Sequence, residues 1–572
     1  MIRIGNASGF YGDRFDAWRE MLTGGELDVL TGDYLAELTM LILGRDRQRD
    51  PALGYARTFL GQLEDTLGVA LERGVTIVTN AGGLNPAGLA AAIGSLADRL
   101  GLTVRIGYVE GDALTRPGAL TANAYLGGFG IAACLRAGAD VVVTGRVTDA
   151  SLVVGPGIAR YGWGHDDLDA LAGATVAGHL IECGAQVTGG NFSFFTELPD
   201  GGRRPGFPVV ELRPDGSSVL TKHPGTGGAV TVETVTAQLL YEVDGPAYLG
   251  PDVTTRLDTV TLTPDGPDRV RVDGVRGAPP PGTLKVGVTT LGGFRNSMTF
   301  VLCGLDVPAK AALVREQVAA AVGPEGLEFR LARTDHVDAT DTETASALLH
   351  VHLRDGDRAR AGRAFSAAAV ELALASYPGC TVTTPPGDAV PYGVFSVDTV
   401  PQDAVDHVAV LPTGERLAVP PPRRREGSSP VPPASAGGPS SPAGGPTRRG
   451  ALGEVVGARS GDKGGDANLG VWARGDETYG WLRGWLTVER LRELLPETAD
   501  LPVERYELPN LRAVNFVLRG LLGAGVAAST RFDPQAKALG ELLRARIVDL
   551  PVTLPRGPAA AREAGRAGGD RR

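Results

Sequence analysis

The chain is poor in cysteine, poor in lysine and without long apolar runs, and each scarcity excludes a class of protein. Four cysteines (Cys134, Cys183, Cys303, Cys380) are scattered over 572 residues with no CxxC pair. That excludes a disulfide scaffold and a thiolate zinc site and fits a reducing compartment. No stretch offers roughly 18 uninterrupted apolar residues. The opening MIRIGNASGFYGDRF carries no basic leader and no apolar core, so neither a membrane span nor a secretory signal is expected. Basic residues are outnumbered, 56 against 66 acidic. The resulting charge of −10 argues against a nucleic-acid binder, which would carry a basic face. The expectation is a globular, cytoplasmic protein that contacts neither nucleic acid nor membrane. Only five of the basic residues are lysine (Lys222, Lys285, Lys310, Lys463, Lys537), so a lysine inside a glycine-rich stretch is informative.

What is abundant is apolar material, 43% of the chain, enough for several cores. Over 1–252, short β-rich runs (Ile2–Ala7, Leu27–Thr31, Val75–Thr79, Val104–Tyr108, Val141–Thr144) alternate with helical patterns. Buried strands alternating with amphipathic helices predict an α/β domain: a doubly wound, mostly parallel sheet. Over 253–419 the order becomes mixed, with strands at Thr283–Thr290, Ser297–Leu302, Glu328–Ala332 and Leu348–Leu353 around two helices. This predicts an α+β subdomain. Residues 420–450 are dominated by Pro, Gly and Ser and read as a linker. A second small α+β unit is expected over 451–556, and 557–572 reads as a disordered tail.

In an open parallel sheet the ligand lies beyond the carboxyl ends of the strands, so the residues following each strand are the ones to weigh. After the first comes a glycine-rich turn with Ser8, which is either a ligand contact or a plain βα turn. After the second, Asp33 is explained by helix capping alone. With Glu37 one turn on, it also offers a carboxylate pair for proton transfer or cation binding. After the third, Asn80 and Asn85 flank Gly82-Gly83 and suit either a carbonyl or the φ > 0 backbone of a tight loop. The fifth ends in Thr144-Gly145-Arg146-Val147-Thr148-Asp149. Arg146 can clamp a carboxylate or phosphate bidentately, and Asp149 can orient it or act as a base.

Cys183 closes a helix four residues after His179, within reach of an imidazole. A helix C-terminus, however, is the wrong end of the dipole for a thiolate, so a structural cysteine competes with a nucleophile. Lys222 and His223 precede a Gly-rich loop that suits oxyanion or phosphate contact, or else a solvent-facing turn. His350 and His352 share a strand face without a third ligand in view, so no metal is assigned. Ala458–Asn468 is the densest polar-glycine cluster, with Lys463 beside Asp462 and Asn468 closing the run.

The stretches GNASGFYGDR (5–14), LTGDYLAELTM (30–40), TNAGGLNP (79–86), VTGRVTDASL (143–152), ECGAQVTGG (182–190) and KHPGTGGAVT (222–231) resemble the acyclic terpene utilisation family of the AtuA type. ARSGDKGGDAN (458–468) and the later Leu508-Pro509-Asn510 resemble its ferredoxin-like C-terminal domain. The resemblance implies a catabolic context of CoA thioesters of branched, terpene-derived acids. It carries no reaction with it. No cofactor is assigned, apart from CoA as part of the substrate.

The reading that follows is an enzyme acting on an acyl-CoA or related carboxylate by lyase- or hydratase-type acid/base chemistry. Asp149, Asp33, Lys463 and Cys183 are the candidate catalytic residues. Arg146, Asn80, Asn85, Ser8, Lys222, His223, Asp462 and Asn468 are the candidate substrate contacts. The alternative is a non-catalytic acyl-CoA binding or assembly partner of an acyl-CoA carboxylase. A homo-oligomer is expected in either case.

Overall fold

The computed structural model describes residues 1–426 and 445–555. Most of the predicted linker and the whole predicted tail lie outside these residues. The described residues form two compact units, one from 1–289, 395–426, 445–526 and 535–555, the other from 290–394 and 527–534.

The first unit is built on a sheet whose centre is parallel. β1 (Ile2–Asn6), β2 (Val29–Gly32), β3 (Thr76–Thr79), β4 (Ile106–Glu110), β5 (Ala119–Ala124) and β6 (Val141–Thr144) are the first six strands of the chain, and all but β5 belong to this sheet. All but β5 pair in parallel, in the order β1-β2-β3-β6-β4. α1 (Ala17–Gly24), α2 (Glu37–Arg49), α3 (Arg57–Arg73), α4 (Pro86–Leu100), α5 (Phe129–Arg136), α6 (Ser151–Tyr161) and α7 (Leu168–Ile181) connect or follow them. Successive side chains of a strand point to opposite faces. Ile4, Val29, Val78 and Val142 therefore enter one core, with Ile131 of α5, Leu152 of α6 and Val176 of α7. Leu30, Ile77, Val141 and Val143 enter the other, with Trp18 of α1, Phe59 of α3 and Ile93 of α4. Helices on both faces explain why these strands read as unbroken apolar runs.

Antiparallel strands extend the sheet at both edges. β7 (Pro208–Leu212) pairs with β1, and β8 (Ser218–Lys222) with β7. Val408–Val410 pairs with β4 on the far side. The fold is thus α/β with a parallel centre and antiparallel margins. The sequence pattern does not reveal β5, α6, β7 or β8: Gly155-Pro156-Gly157 interrupts the helical periodicity of α6, and the three strands are only five or six residues long.

Residues 445–526 and 535–555 belong to the same unit. Their core is a four-stranded antiparallel sheet, in spatial order Val456–Lys463, Asp466–Ala473, Ala513–Leu518, Val503–Leu508. The stretch read as a polar loop is a β-hairpin: Lys463 opposes Asp466 across a Gly464-Gly465 turn. Gly464 has φ +67°, which only glycine adopts without strain. This domain docks in cis. Trp472 lies against Phe192 and Phe194, Arg474 pairs with Glu197 and Glu233, and Asn510 donates to the Leu257 and Val260 carbonyls.

In the second unit, Leu327–Ala332, Ser346–Asp355 and the later part of Thr283–Cys303 form an antiparallel sheet under Val307–Val322 and Phe365–Glu371. Phe300, Val314, Leu349 and Phe365 fill its core. The two strands expected at 283–290 and 297–302 are one strand of 21 residues. Residues 294–303 are paired without a break to Ser346–Asp355, so the ladder carries the backbone on from Gly292-Gly293.

Candidate functional site

The carboxyl ends of β1, β2, β3 and β6 converge on one polar cluster. Ser8, after β1, donates to the Asp33 carbonyl at 3.0 Å, and the Asp33 amide donates to the Ser8 carbonyl at 2.9 Å. Asn80, after β3, donates to Asp33 Oδ1 at 2.6 Å and accepts from the Tyr34 amide at 2.8 Å. Three strand ends are thereby tied through one residue, Asp33, by its backbone to Ser8 and by its carboxyl group to Asn80. Burial pushes Asp33 well above the usual carboxylate range. Asp149 adds to the rise, while Arg146 and the Asn80 hydrogen bond only partly oppose it.

Arg146, after β6, is buried. Nη1 donates to the Leu35 carbonyl at 3.0 Å and to Asp149 Oδ1 at 2.9 Å, and the guanidinium lies 4.2 Å from the Tyr125 ring centre. Its amide donates to Asp112 Oδ2. Gly145 allows this, since a Cβ there would sit 2.5 Å from Asp112 Oδ1. Burial works against the charge of Arg146, but Asp149, Tyr125 and Asp33 outweigh it and hold the guanidinium protonated.

The end of α7 enters the same cluster. His179 Nδ1 lies 3.0 Å from Glu182 Oε1, and both residues are buried. The other ring nitrogen and Glu182 Oε2 have no hydrogen-bond partner among the described residues. Burial pushes His179 down to about 4. Burial, then Asp149 and Glu242, push Glu182 well above its usual value. At neutral pH the pair is therefore a neutral imidazole beside a carboxyl group that holds its proton more tightly than a free one. Cys183 sits next to them, and burial, Glu182 and Glu242 push its thiol well above the ordinary thiol value. The Gln238 side chain only partly opposes this rise, so the surroundings oppose a nucleophilic role.

The C-terminal hairpin closes the cluster. Lys463 Nζ donates to the Glu242 carbonyl at 2.8 Å and lies 5.5 Å from the Tyr248 ring centre. Burial opposes its charge, but Asp244, Glu242 and Glu182 prevail and keep it an ammonium. Glu242 has φ +57°, an uncommon state for a non-glycine residue that persists only where the surroundings impose it. Here Asn468 Oδ1 accepts from its amide at 2.9 Å and Asn468 Nδ2 donates to the Leu240 carbonyl at 2.6 Å. Asn515 donates to the Val243 carbonyl. Burial, with Glu242 and Glu37, pushes Asp462 up to about 8.

The structure thus brings together Ser8, Asp33, Asn80, Arg146, Asp149, Cys183, Asp462, Lys463 and Asn468. Of these, Ser8, Asn80 and Asn468 hold the backbone around the site. Three other candidates lie apart from the cluster. Asn85 caps α4, accepting from the Gly88 amide and donating to the Ala52 carbonyl. Lys222 pairs with Asp268 and the Thr226 carbonyl. His223 bonds the Met21 carbonyl. Asp112, Tyr125, Glu242, Tyr248 and Lys285 carry no local motif. Only the scarcity of lysine could have pointed to Lys285. Among the described residues no three His, Cys, Asp or Glu side chains converge to hold a metal, and no helix is long and apolar enough to cross a membrane.

The family model of the acyclic terpene utilisation family protein AtuA matches residues 2–411, and that of the AtuA ferredoxin-like domain matches 451–549. No curated protein and no solved structure gives a significant match. With the first match spanning most of the sequence and the second covering the docked hairpin domain, the chain belongs to the acyclic terpene utilisation family AtuA.

Proposed function

We propose that the cluster is the active site of a cytoplasmic enzyme acting on an acyl-CoA thioester, or a related carboxylate, by lyase- or hydratase-type acid/base chemistry. One observation carries the reading. Two buried carboxyl groups, Asp33 and Glu182, are held well above the usual carboxylate range by burial, beside the Arg146–Asp149 ion pair and the Lys463 ammonium. Buried carboxyl groups of raised proton affinity beside a more open one supply an acid and a base together. Asp149, the most open of the three, takes the proton next to the carbonyl. Glu182 or Asp33 delivers one to the departing oxygen. Arg146 and Lys463 stabilise negative charge on the carbonyl oxygen in this reading.

The family's association with acyclic terpene utilisation supports a branched acyl group, and four free, dispersed cysteines support a reducing cytoplasm. The test is incubation of the purified protein with a panel of branched acyl-CoA esters, alongside Asp149→Ala and Lys463→Ala. Turnover by the wild type and loss in both variants is expected. Full activity in the variants would end the assignment. Co-purification with carboxylase subunits and no turnover of any ester would replace it with a binding role.

A further inference from the structure

α7 is buried at every position from Ala170 to Ile181 and reads as a pure core helix. Two polar side chains at its end break that pattern: His179, 2% exposed, and Glu182, 7% exposed. As a rule such a buried pair is no more stabilising than apolar side chains filling the same volume. Packing alone does not account for it.

The spacing of three residues puts both side chains on one face of the helix, and Nδ1 reaches Oε1 at 3.0 Å. The turn that carries them is pinned from two sides. Asn6, at the end of β1, donates to the Ile181 and Glu182 carbonyls at 2.6 and 3.0 Å. Gln238, in the helix Val232–Leu239, donates to the His179 carbonyl at 3.2 Å. These acceptors belong to a helix end, where no further turn supplies an N–H. The Tyr248 ring lies 5.6 Å from the imidazole and 5.5 Å from Lys463 Nζ, and so joins the pair to the hairpin.

Hydrogen-bond partners place the protons. A neutral imidazole carries one N–H. Nε2 has no partner among the described residues, whereas Nδ1 faces Oε1, so the ring proton belongs on Nδ1. A proton held by the carboxyl group then sits on Oε2, which also has no partner among the described residues. Asp149 and Glu242 oppose ionisation of Glu182, and Lys463 and Arg146 favour it. The negative end of the helix dipole adds to the opposition. Asp33 is engaged differently: its Oδ1 receives both the Asn80 side chain and the Leu35 amide, which commits it to holding the strand ends.

We propose that Glu182 is the acid that serves the departing oxygen and that His179 is its positioning residue. This assignment rests on the acid/base reading of the cluster and decides between its two candidate acids. Asp149 takes the proton from the carbon next to the carbonyl, and the electrons of that C–H bond form the new C=C bond. The C–O bond breaks, its electron pair leaves with the oxygen, and that oxygen takes the Oε2 proton and departs as water. The Glu182 carboxylate left behind accepts from His179 Nδ1–H, a charge-assisted bond that eases the loss of the proton.

The test is dehydration of the CoA esters of 3-hydroxybutyrate and 3-hydroxy-3-methylbutyrate by the purified full chain, followed by the ultraviolet absorbance of the enoyl thioester. Glu182→Gln is isosteric with the protonated acid and is expected to lower kcat by about 10²–10⁴ with an unchanged unfolding midpoint. His179→Phe should lower kcat by about 10² with KM unchanged. It should also move the alkaline limb of the kcat profile upward by about one pH unit, because the carboxylate loses its N–H donor. His179→Asn, whose amide overlays Nδ1, should restore the limb and part of the rate. The His179 variants serve if the Glu182 variant fails to fold. A packing defect would lower kcat without moving the limb, and that result overturns the positioning role. Full activity in Glu182→Gln, or loss of the limb in Asp33→Asn, overturns the choice of acid and leaves the acid/base reading standing. Turnover of neither ester by the wild type overturns that reading and this inference with it.

Discussion

At the scale of single residues, the site works by setting protonation states against one another. Arg146 combines burial, a carbonyl contact, an ion pair and an aromatic face, and only a planar fork satisfies all of these at once. Arg146→Lys is therefore expected to lower kcat/KM on an identified thioester by about 100-fold or more, in steady-state kinetics, with an unchanged unfolding midpoint. Asp149→Ala removes the proposed base, and a loss of about 10²–10⁴ in kcat is expected. Asp462 gives a prediction about pH. The unfolded chain ionises it near 4, whereas the native state retains its proton up to about 8. Stability is thus lost progressively as pH rises through that window. Asp462→Asn cannot ionise, so its unfolding free energy should match wild type near pH 4 and exceed it by at least about 1 kcal/mol at pH 8.5. Denaturant titrations at the two pH values check this.

At the scale of elements, the hairpin Val456–Ala473 has two tasks. Its turn carries Lys463 to the cluster, and Asn468 with Asn515 clamps the 240–243 turn that holds Glu242 in its left-handed conformation. Asn468→Ala leaves the Glu242 amide and the Leu240 carbonyl without these partners. The expected cost is about 1–3 kcal/mol in chemical denaturation, with a fall in activity larger than that of a surface substitution on the same strand. The hairpin also shows what sequence pattern misses. Arg459-Ser460-Gly461-Asp462-Lys463 reads as a loop because it lacks apolar alternation. It is a strand because Ala458, Leu469, Val471 and Phe516 form a core around it and antiparallel partners complete its backbone hydrogen bonds.

At the scale of the whole molecule, the polar cluster depends on residues more than 400 positions apart in sequence meeting in one unit. Removing everything after residue 426 would uncover Phe192, Phe194, Leu240 and Tyr241 and take Lys463 away. That truncated chain is expected to have no turnover and to bind a hydrophobic dye that the full chain does not. Adding residues 445–555 in trans should restore part of the activity. Turnover by the truncated chain alone would show that the hairpin domain is not part of the site.

The amino-acid order alone determined the alternation of strands and helices, and hence the parallel centre of the sheet. It also determined where polar side chains collect, because loops after parallel strands are forced to one edge. Ser8, Asp33, Asn80 and Arg146 were legible for that reason. What required the tertiary structure was the company these residues keep. Glu242, Tyr248 and Tyr125 belong to ordinary local sequence, and the raised proton affinities of Asp33, Glu182 and Asp462 come from burial and from distant carboxylates. Desolvation and Coulomb repulsion act through space, so no spacing along the chain records them.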